Sequence, residues 1–199
     1  MLWAAAVFFL SQMPVYANPL LVDDFKNDGV INHLGNRANI FLRAPSRVMV
    51  TSKEEMIEGI LRHVLLIRYD KKNSGGPFDS GGWCGYYTLL KSPENVYLDV
   101  SVFKTVTFWV SGGKGAENIV VGLADRYWDK VGDSAKSLEI GRYLLHGKLT
   151  REWQKVRIPF SEFFMDYTQL AAIAIIFDSD LFSKTGHAGT IYIADLSFE

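Results

Sequence analysis

The chain's single cysteine, Cys84, lies in the aromatic stretch GGWCGYYTLL, residues 81–90. A thiol becomes a nucleophile or a metal ligand when a neighbouring base or cation lowers its pKa. No histidine or acid accompanies Cys84 in a supporting pattern, so the stretch predicts a small, partly buried apolar side chain. One cysteine forms no internal disulfide, and we therefore expect no thiol chemistry here.

Paired carboxylates could support a different chemistry, glycoside hydrolysis, which needs two acids across the scissile bond. Asp178 and Asp180 in IFDSD have the spacing that places two side chains on one face of a strand. Asp129 and Asp133 fall in a predicted loop. None of these pairs lies in a recognisable catalytic strand pattern, which favours solvated loop acids or calcium ligands over a catalytic pair.

Other catalytic and ligand-binding motifs are absent from the sequence. It contains no HExxH, GxxxxGK[ST] or GxSxG motif, and its four histidines are scattered without the spacing of metal ligands. The glycine-rich segment VSGGKGAEN, residues 110–118, joins two predicted strands and therefore predicts a hairpin turn. A formal net charge of -1 gives no electrostatic footprint for a nucleic acid or an anionic membrane.

The N-terminus differs in composition from the rest of the chain. Residues 1–17, MLWAAAVFFLSQMPVYA, contain a short apolar run, a proline and a small-residue cleavage pattern that ends at Ala17. This layout predicts a signal peptide, and the run is too short to span a bilayer as a transmembrane segment. We therefore expect residues 18–199 to form one mature domain that is secreted or periplasmic.

The elements that would position the chemical groups are overwhelmingly strands. Short runs rich in β-branched and aromatic residues alternate with clusters of Gly, Asn, Asp, Ser and Pro. This pattern is typical of an all-β sandwich or barrel, and it predicts nine or ten strands in a sandwich. The candidate strands are 20–25, 47–52, 63–70, 84–90, 105–112, 118–125, 137–145, 152–160, 170–178 and 190–198. Short helical turns are predicted within 52–64 and 161–170, each beginning at a serine that resembles a helix cap.

Five segments, taken in order, resemble a known family. They are LLVDDFKNDGVINHLGN (20–36), GGWCGYYTLL (81–90), FKTVTFWVSGGKGAENIVVGLADR (103–126), REWQKVRIPFSEF (151–163) and GTIYIADLSF (189–198). Together they are similar to successive strands of carbohydrate-binding modules of the galactose-binding-like jelly-roll fold, of the family-11 type. The resemblance implies a two-sheet jelly roll that binds polysaccharide without cleaving it.

The resemblance also implies a structural calcium ion that joins the first strand region to the last. By position, Asp24 in VDDF and Asp195 in YIADLSF match the acidic residues near that site. Calcium prefers six to eight oxygen ligands, so two acids would supply part of its coordination. The alternative is that one acid accepts hydrogen bonds from backbone at a strand end.

Sugar binding requires two kinds of side chain, aromatic and planar polar. Pyranose rings pack their apolar faces on flat aromatic side chains, and their hydroxyl groups need planar polar partners. Strand alternation separates Tyr86 from Tyr87, so that one of them is expected in the core. Trp109 and Trp153 are expected to pack in the core. The residues that we assign to a carbohydrate site are Trp83, Tyr86, Asp125, Arg126, Tyr127, Trp128 and Tyr143.

The sequence therefore leaves three classes of function open. The first is a secreted, non-catalytic domain that binds polysaccharide through aromatic stacking and polar rim residues. The second is a jelly-roll glycoside hydrolase or polysaccharide lyase, whose catalytic set would come from Asp178, Asp180, Arg126, Tyr127 and His146. The third is a structural module that uses the same fold to bind protein partners.

Overall fold

The computed structural model describes residues 18–76, 79–115, 117–183 and 186–199. Within these residues, eleven strands form two antiparallel sheets that enclose one core. The strands are β1 (Leu20–Asp23), β2 (Ala38–Leu42), β3 (Arg47–Ile57), β4 (Ile60–Lys71), β5 (Cys84–Leu89), β6 (Thr105–Gly112), β7 (Val120–Asp125), β8 (Ala135–Lys136), β9 (Gln154–Pro159), β10 (Leu170–Phe177) and β11 (His187–Phe198). A six-residue helix, α1 (Arg126–Val131), follows β7.

The two sheets confirm the predicted all-β sandwich. One sheet has six strands in the order β3-β4-β11-β6-β9, with β1 beside β11, and the other has five in the order β2-β5-β10-β7-β8. Strands β6 and β7 lie in different sheets. The glycine-rich segment 110–118 is therefore part of a crossover between sheets, and its prediction as a hairpin turn is wrong.

The core lies between the sheets and is built from alternate residues of each strand. Phe108 of β6, Phe177 of β10 and Phe198 of β11 are at most 1% exposed. Burying an apolar side chain of this size contributes roughly 1.5–3 kcal/mol to folding. Because the inward residues supply the core, the outward residues of each strand are left for other roles.

Residues 52–64, where the sequence predicts a short helix, form the end of the β3–β4 hairpin. Ile57 pairs with Ile60 across the two-residue turn Glu58-Gly59, whose φ angles are 49° and 77°. Two left-handed residues make the kind of turn whose twist matches that of the flanking strands. The hydroxyl of Ser52, predicted as a helix cap, donates to the carbonyl oxygen of Phe25 instead.

Several other boundaries differ from the sequence prediction. Residues 137–145 are not a strand, because this segment contains a 3-10 helix at Ile140–Tyr143. A Cβ at Gly141 would overlap the carbonyl oxygen of Gly147, so the segment folds back closely on itself. Strand β2, the two-residue β8 and helix α1 have no counterpart in the prediction. Helix α1 is shorter than the window of 11–18 residues over which helical periodicity is detectable.

The predicted signal peptide, residues 1–17, lies outside the described residues. In the part of the chain that the structure describes, no helix is long and apolar enough to cross a membrane.

Candidate functional site

The outward face of the five-stranded sheet forms an open groove of about 360 Å³. Its floor consists of small residues from two neighbouring strands, Ala172 and Ala174 of β10 and Gly122 and Ala124 of β7. The register pairs Ala172 with Ala124, and Ala174 with Gly122. Because these side chains end at Cβ or earlier, the middle of the sheet is recessed between higher walls.

Aromatic residues of β2 and β5 form one wall of the groove. Cys84 and Tyr86 of β5 point into the core, so Trp83 and Tyr87 point outward with the alternation of the strand. Tyr87 lines the groove, and Phe41 of β2 stands beside it. The rings of Phe41 and Trp83 lie 5.9 Å apart at 43°. Trp83 is 49% exposed and extends this wall beyond the groove.

A tight loop holds Trp83 at the start of β5. The Trp83 carbonyl oxygen accepts a hydrogen bond of 2.8 Å from the amide of Arg43, and the amide of Gly82 donates to Lys72 at 2.9 Å. A Cβ at Gly82 would overlap the Arg43 carbonyl oxygen, so the loop approaches β2 as closely as glycine permits. The backbone under the indole is therefore fixed on both sides.

Polar groups from α1 and the residues after it form the opposite wall, with Asp129 and Asp133 lining the groove. The Asp129 carboxylate accepts hydrogen bonds from Lys91 Nζ at 2.6 Å and from the Tyr97 hydroxyl at 3.1 Å. Helix α1 ends at Gly132, which caps it in the left-handed region at φ 78°. The groove therefore faces aromatic rings on one side and carboxylates on the other.

The structure places Tyr86 in the core, which contradicts its assignment to the carbohydrate site. Tyr86 is 1% exposed, and its hydroxyl donates a hydrogen bond of 3.2 Å to the Asp23 carboxylate. Burial raises the pKa of the Tyr86 phenol well above its ordinary value. The neighbouring Tyr87, which the sequence left as the alternative, occupies the groove.

The LADRYWD segment is divided between a structural role and a second surface. Asp125 is 6% exposed and caps α1, with its Oδ1 accepting from the amides of Tyr127 and Trp128 at 2.9 and 3.0 Å. Its Oδ2 accepts from the amide of Asp166 at 2.9 Å. Because both oxygens are engaged, Asp125 is a helix cap and not the rim ligand that we expected. Arg126 and Tyr127 are exposed, and Trp128 is half-buried.

Tyr143 also has a structural role, in the 3-10 helix that replaces its predicted strand. Its hydroxyl accepts a hydrogen bond of 3.2 Å from the amide of Leu138. Desolvation and a hydrogen bond with Glu162 raise the pKa of Tyr143 to about 12. It does not line the groove, and its assignment to the carbohydrate site stays a prediction.

The predicted calcium ligands have protein partners of opposite charge. The Asp24 carboxylate is 2.9 Å from Lys26 Nζ, and Asp195 forms an ion pair with Arg62. Among residues 18–199 outside the gaps at 77–78, 116 and 184–185, no three His, Cys, Asp or Glu side chains form a group that could hold a metal. Each of the two acids is thus paired with a cation of the chain, and the calcium site stays a prediction.

The acids of the hydrolase hypothesis are arranged differently from a catalytic pair. Asp178 is partly desolvated, but its hydrogen bond of 2.6 Å from Lys136 Nζ is among the effects that hold its pKa below the ordinary value. Asp178 also caps the short 3-10 helix that contains Asp180. An acid catalyst needs a raised pKa, so Asp178 has the opposite electrostatic environment.

Sequence reasoning missed Phe41 and the recessed floor, and it left the choice between Tyr86 and Tyr87 open. The signal for the floor is visible in retrospect in LAAIAIIF, where the residues that face away from the core include Ala172 and Ala174. In CGYYTL, the outward partner of Tyr87 is Gly85, which leaves room for the ring of Phe41. Alternation gave two possible faces for each strand, and only the pairing of strands showed which face was outside.

Comparisons with known proteins assign the chain to a family. The family described as carbohydrate binding domain 30 matches residues 25–199. The chain belongs to this family. The match confirms the resemblance to carbohydrate-binding modules that the sequence segments showed. The family that matches is family 30, whereas the segments resembled the family-11 type. A comparison with curated proteins gives no match.

Solved structures of two module families share the fold of this carbohydrate-binding domain. The family 11 module of a cellulosomal cellulase of Clostridium thermocellum is 15% identical, with a TM-score of 0.62 over 91% of this chain and 94% of that chain. A family 11 module from the same organism, in complex with a beta-1,3-1,4-mixed-linked tetrasaccharide, is 14% identical, with a TM-score of 0.63 over 90% and 94%. A family 30 module of another Clostridium thermocellum cellulase is 16% identical, with a TM-score of 0.51 over 92% of each chain.

Proposed function

We propose that this domain is a secreted, non-catalytic module that binds a single polysaccharide chain in the groove. The observation that carries the proposal is the asymmetry of the groove, with Tyr87 and Phe41 facing Asp129 and Asp133 across a floor of alanine and glycine. Sugar rings stack on the aromatic wall, and their hydroxyl groups donate to the carboxylates opposite. Trp83 extends the stacking surface beyond one end of the groove.

The dimensions and chemistry of the groove support a flexible, soluble chain as the ligand. Small-molecule sites commonly occupy about 300–1,000 Å³, and this open groove lies in that range. A pair of aromatic side chains gains roughly 0.5–1.5 kcal/mol from its ring contact. If a sugar ring on one aromatic side chain gains energy on the same scale, several stacked rings are needed for useful affinity. A related fold is solved with a beta-1,3-1,4-mixed-linked tetrasaccharide, and we propose a soluble β-glucan of this linkage as the ligand class.

Affinity electrophoresis in gels with mixed-linkage β-glucan tests the proposal. We expect the polymer to retard the wild-type domain, and Tyr87→Ala or Trp83→Ala to abolish most of the retardation without lowering the melting temperature. The control is Met49→Ala, which removes a side chain 68% exposed on the other sheet. Unretarded wild-type protein in gels of this and other soluble polysaccharides would overturn the proposal, and release of reducing ends would replace it with hydrolysis.

Secretion is proposed from the composition of residues 1–17. Expression of the full chain in a host with a general secretion pathway would test it by intact mass. We expect a secreted product that begins at Asn18. Retention of the unprocessed chain inside the cell would contradict it.

A further inference from the structure

A second aromatic surface lies beside α1. Tyr127 is 66% exposed and Phe164 is 99% exposed, so neither ring contributes substantially to the core. With Trp128 and Met165 they line a depression of about 450 Å³. The rings of Tyr127 and Trp128 meet edge to face at 5.5 Å. An exposed cluster of this kind commonly marks a binding surface, because folding alone gives no reason to expose it.

This surface is separate from the groove because α1 lies between them. Successive helical residues are rotated by about 100°, so Tyr127 and Asp129 differ by about 200° around the axis. Asp129 lines the groove, and Tyr127 therefore projects from the opposite side of the helix. The helix forms the wall of one site and the base of the other.

Planar polar side chains lie next to the Tyr127 ring. The ring borders a second depression of about 280 Å³, which Arg126, Asp166 and Gln169 also line. Among the described residues, Arg126 makes one long side-chain hydrogen bond, 3.4 Å from Nη1 to the Gln169 side-chain oxygen. The Gln169 amide nitrogen donates to the Asp166 carboxylate at 2.9 Å. A guanidinium, an amide and a carboxylate are thus arranged beside an exposed aromatic face.

Backbone and cap hydrogen bonds hold the two segments of this surface together. Asp125 joins them, because its carboxylate caps α1 and also accepts from the amide of Asp166. The Arg126 amide donates to the Gln169 carbonyl oxygen at 3.0 Å. The binding groups are therefore placed before a ligand arrives, which reduces the entropy lost on binding.

We propose that Arg126, Tyr127, Phe164, Asp166 and Gln169 form a second glycan-binding site, the Tyr127 site, which is independent of the groove. Its ligand is a neutral pyranose chain, because flat rings bordered by hydrogen-bonding planar groups match the two kinds of surface that a sugar presents. The depression beside the ring is lined by two cations, Arg126 and Lys130, and two acids, Asp125 and Asp166, so it has no net charge that would favour a polyanion.

Two sites on one domain change how a long polymer binds. A chain long enough to reach both sites binds the second at high effective concentration, so that the polymer is held more tightly than a short oligosaccharide. This inference rests on the proposed function in one respect, that the same mixed-linkage β-glucan occupies the groove. The two sites are nevertheless separable by variants, since they share no ligand-contacting side chain.

The probe is the mixed-linked tetrasaccharide, titrated into ¹⁵N-labelled protein and followed by chemical shifts. We expect two separate groups of perturbed amides, one around Tyr87 and one around Tyr127. Tyr127→Ala and Phe164→Ala should remove the second group alone and weaken retardation by the polymer roughly three- to tenfold, on the scale of one lost stacking contact. Tyr87→Ala should remove the first group alone. Both exposed-site variants should melt at the wild-type temperature.

The outcomes separate this inference from the groove proposal. Shifts confined to the groove, with polymer retardation unchanged in Tyr127→Ala and Phe164→Ala, would overturn the Tyr127 site and leave the groove intact. Shifts confined to the Tyr127 region would support the second site and overturn the groove. An equal loss of retardation in Met49→Ala, or no shifts anywhere in the wild type, would also overturn the Tyr127 site.

Discussion

Gly85 lies beneath the ring of Phe41, and a Cβ there would overlap both that ring and the Ile175 carbonyl oxygen. We expect Gly85→Ala to lower the free energy of unfolding by about 1–3 kcal/mol, because both the ring and the backbone around the carbonyl oxygen must shift. Chemical denaturation measures this change. The matched control is Gly113→Ala, whose Cβ would lie 3.2 Å from its nearest neighbour, Thr190. Equal losses in the two variants would contradict the close packing at Gly85.

Asp23 is a fully buried carboxyl group that accepts hydrogen bonds from the Phe25 amide and the Tyr86 hydroxyl. Desolvation raises its pKa from 3.8 to about 6, despite these hydrogen bonds. The folded state therefore holds the proton more tightly than the unfolded chain does. The stability that this proton provides is present below pH 4 and is lost as the pH rises through about 6.

Asp23→Asn mimics the protonated carboxyl group at every pH. We expect the variant to be more stable than the wild type at pH 7.5, with a difference of up to about 3 kcal/mol for a shift of about two pKa units. The difference should shrink by pH 4. Urea denaturation at both pH values measures it. A variant that is less stable than the wild type at pH 7.5 would show that the ionised carboxylate is favourable in its buried place.

At the scale of the element, helix α1 depends on one side chain. An isolated helix of six residues is unstable, so α1 persists through its cap and its contacts with the sheet. Asp125→Ala removes the acceptor for two helix amides and for the Asp166 amide, and should cost about 0.5–2 kcal/mol in unfolding free energy. It should also weaken glycan binding, because α1 carries Asp129 into the groove.

Asp125→Asn is the matched control for the cap. Its side-chain oxygen can still accept from the Tyr127 and Trp128 amides, while the link to Asp166 is lost. We expect most of the stability and most of the glycan retardation to return in the asparagine variant. Equal losses in the alanine and asparagine variants would show that the link to Asp166, and not the cap, holds α1 in place.

At the scale of the whole molecule, the sequence predicts the strands better than it predicts their surroundings. The predicted strand 105–112 has the same bounds as β6, because alternation and turn residues both mark its ends. The class of fold and the aromatic, polar character of the site are also readable from the sequence. The sequence does not decide which of Tyr86 and Tyr87 points into the core. Alternation places them on opposite faces, and only the pairing of strands shows which face is inside.

The elements that the sequence missed depend on contacts distant in the chain. Helix α1 is stabilised by a carboxylate that also holds Asp166, and residues 52–64 prefer a hairpin because β3 and β4 pair along their whole length. The groove itself comes from strands brought together by the fold, with Phe41 and Tyr87 on one side and α1 on the other. Local patterns carry no information about such neighbours.

In the five-stranded sheet, strands such as β10 are divided between core and groove, which predicts that stability and binding can be changed separately. Adjacent residues of β10 provide the test, because Ile173 is 1% exposed on the inward face and Ala174 lies in the groove floor. Ile173→Ala should lower the free energy of unfolding by about 2–5 kcal/mol, while the folded fraction binds glycan as the wild type does.

Ala174→Leu should change stability by less than about 0.5 kcal/mol and abolish binding in the groove, because its side chain fills the space above the floor. Denaturation and tetrasaccharide titration of both variants decide the matter, and a leucine variant that binds at wild-type strength would place the groove ligand elsewhere.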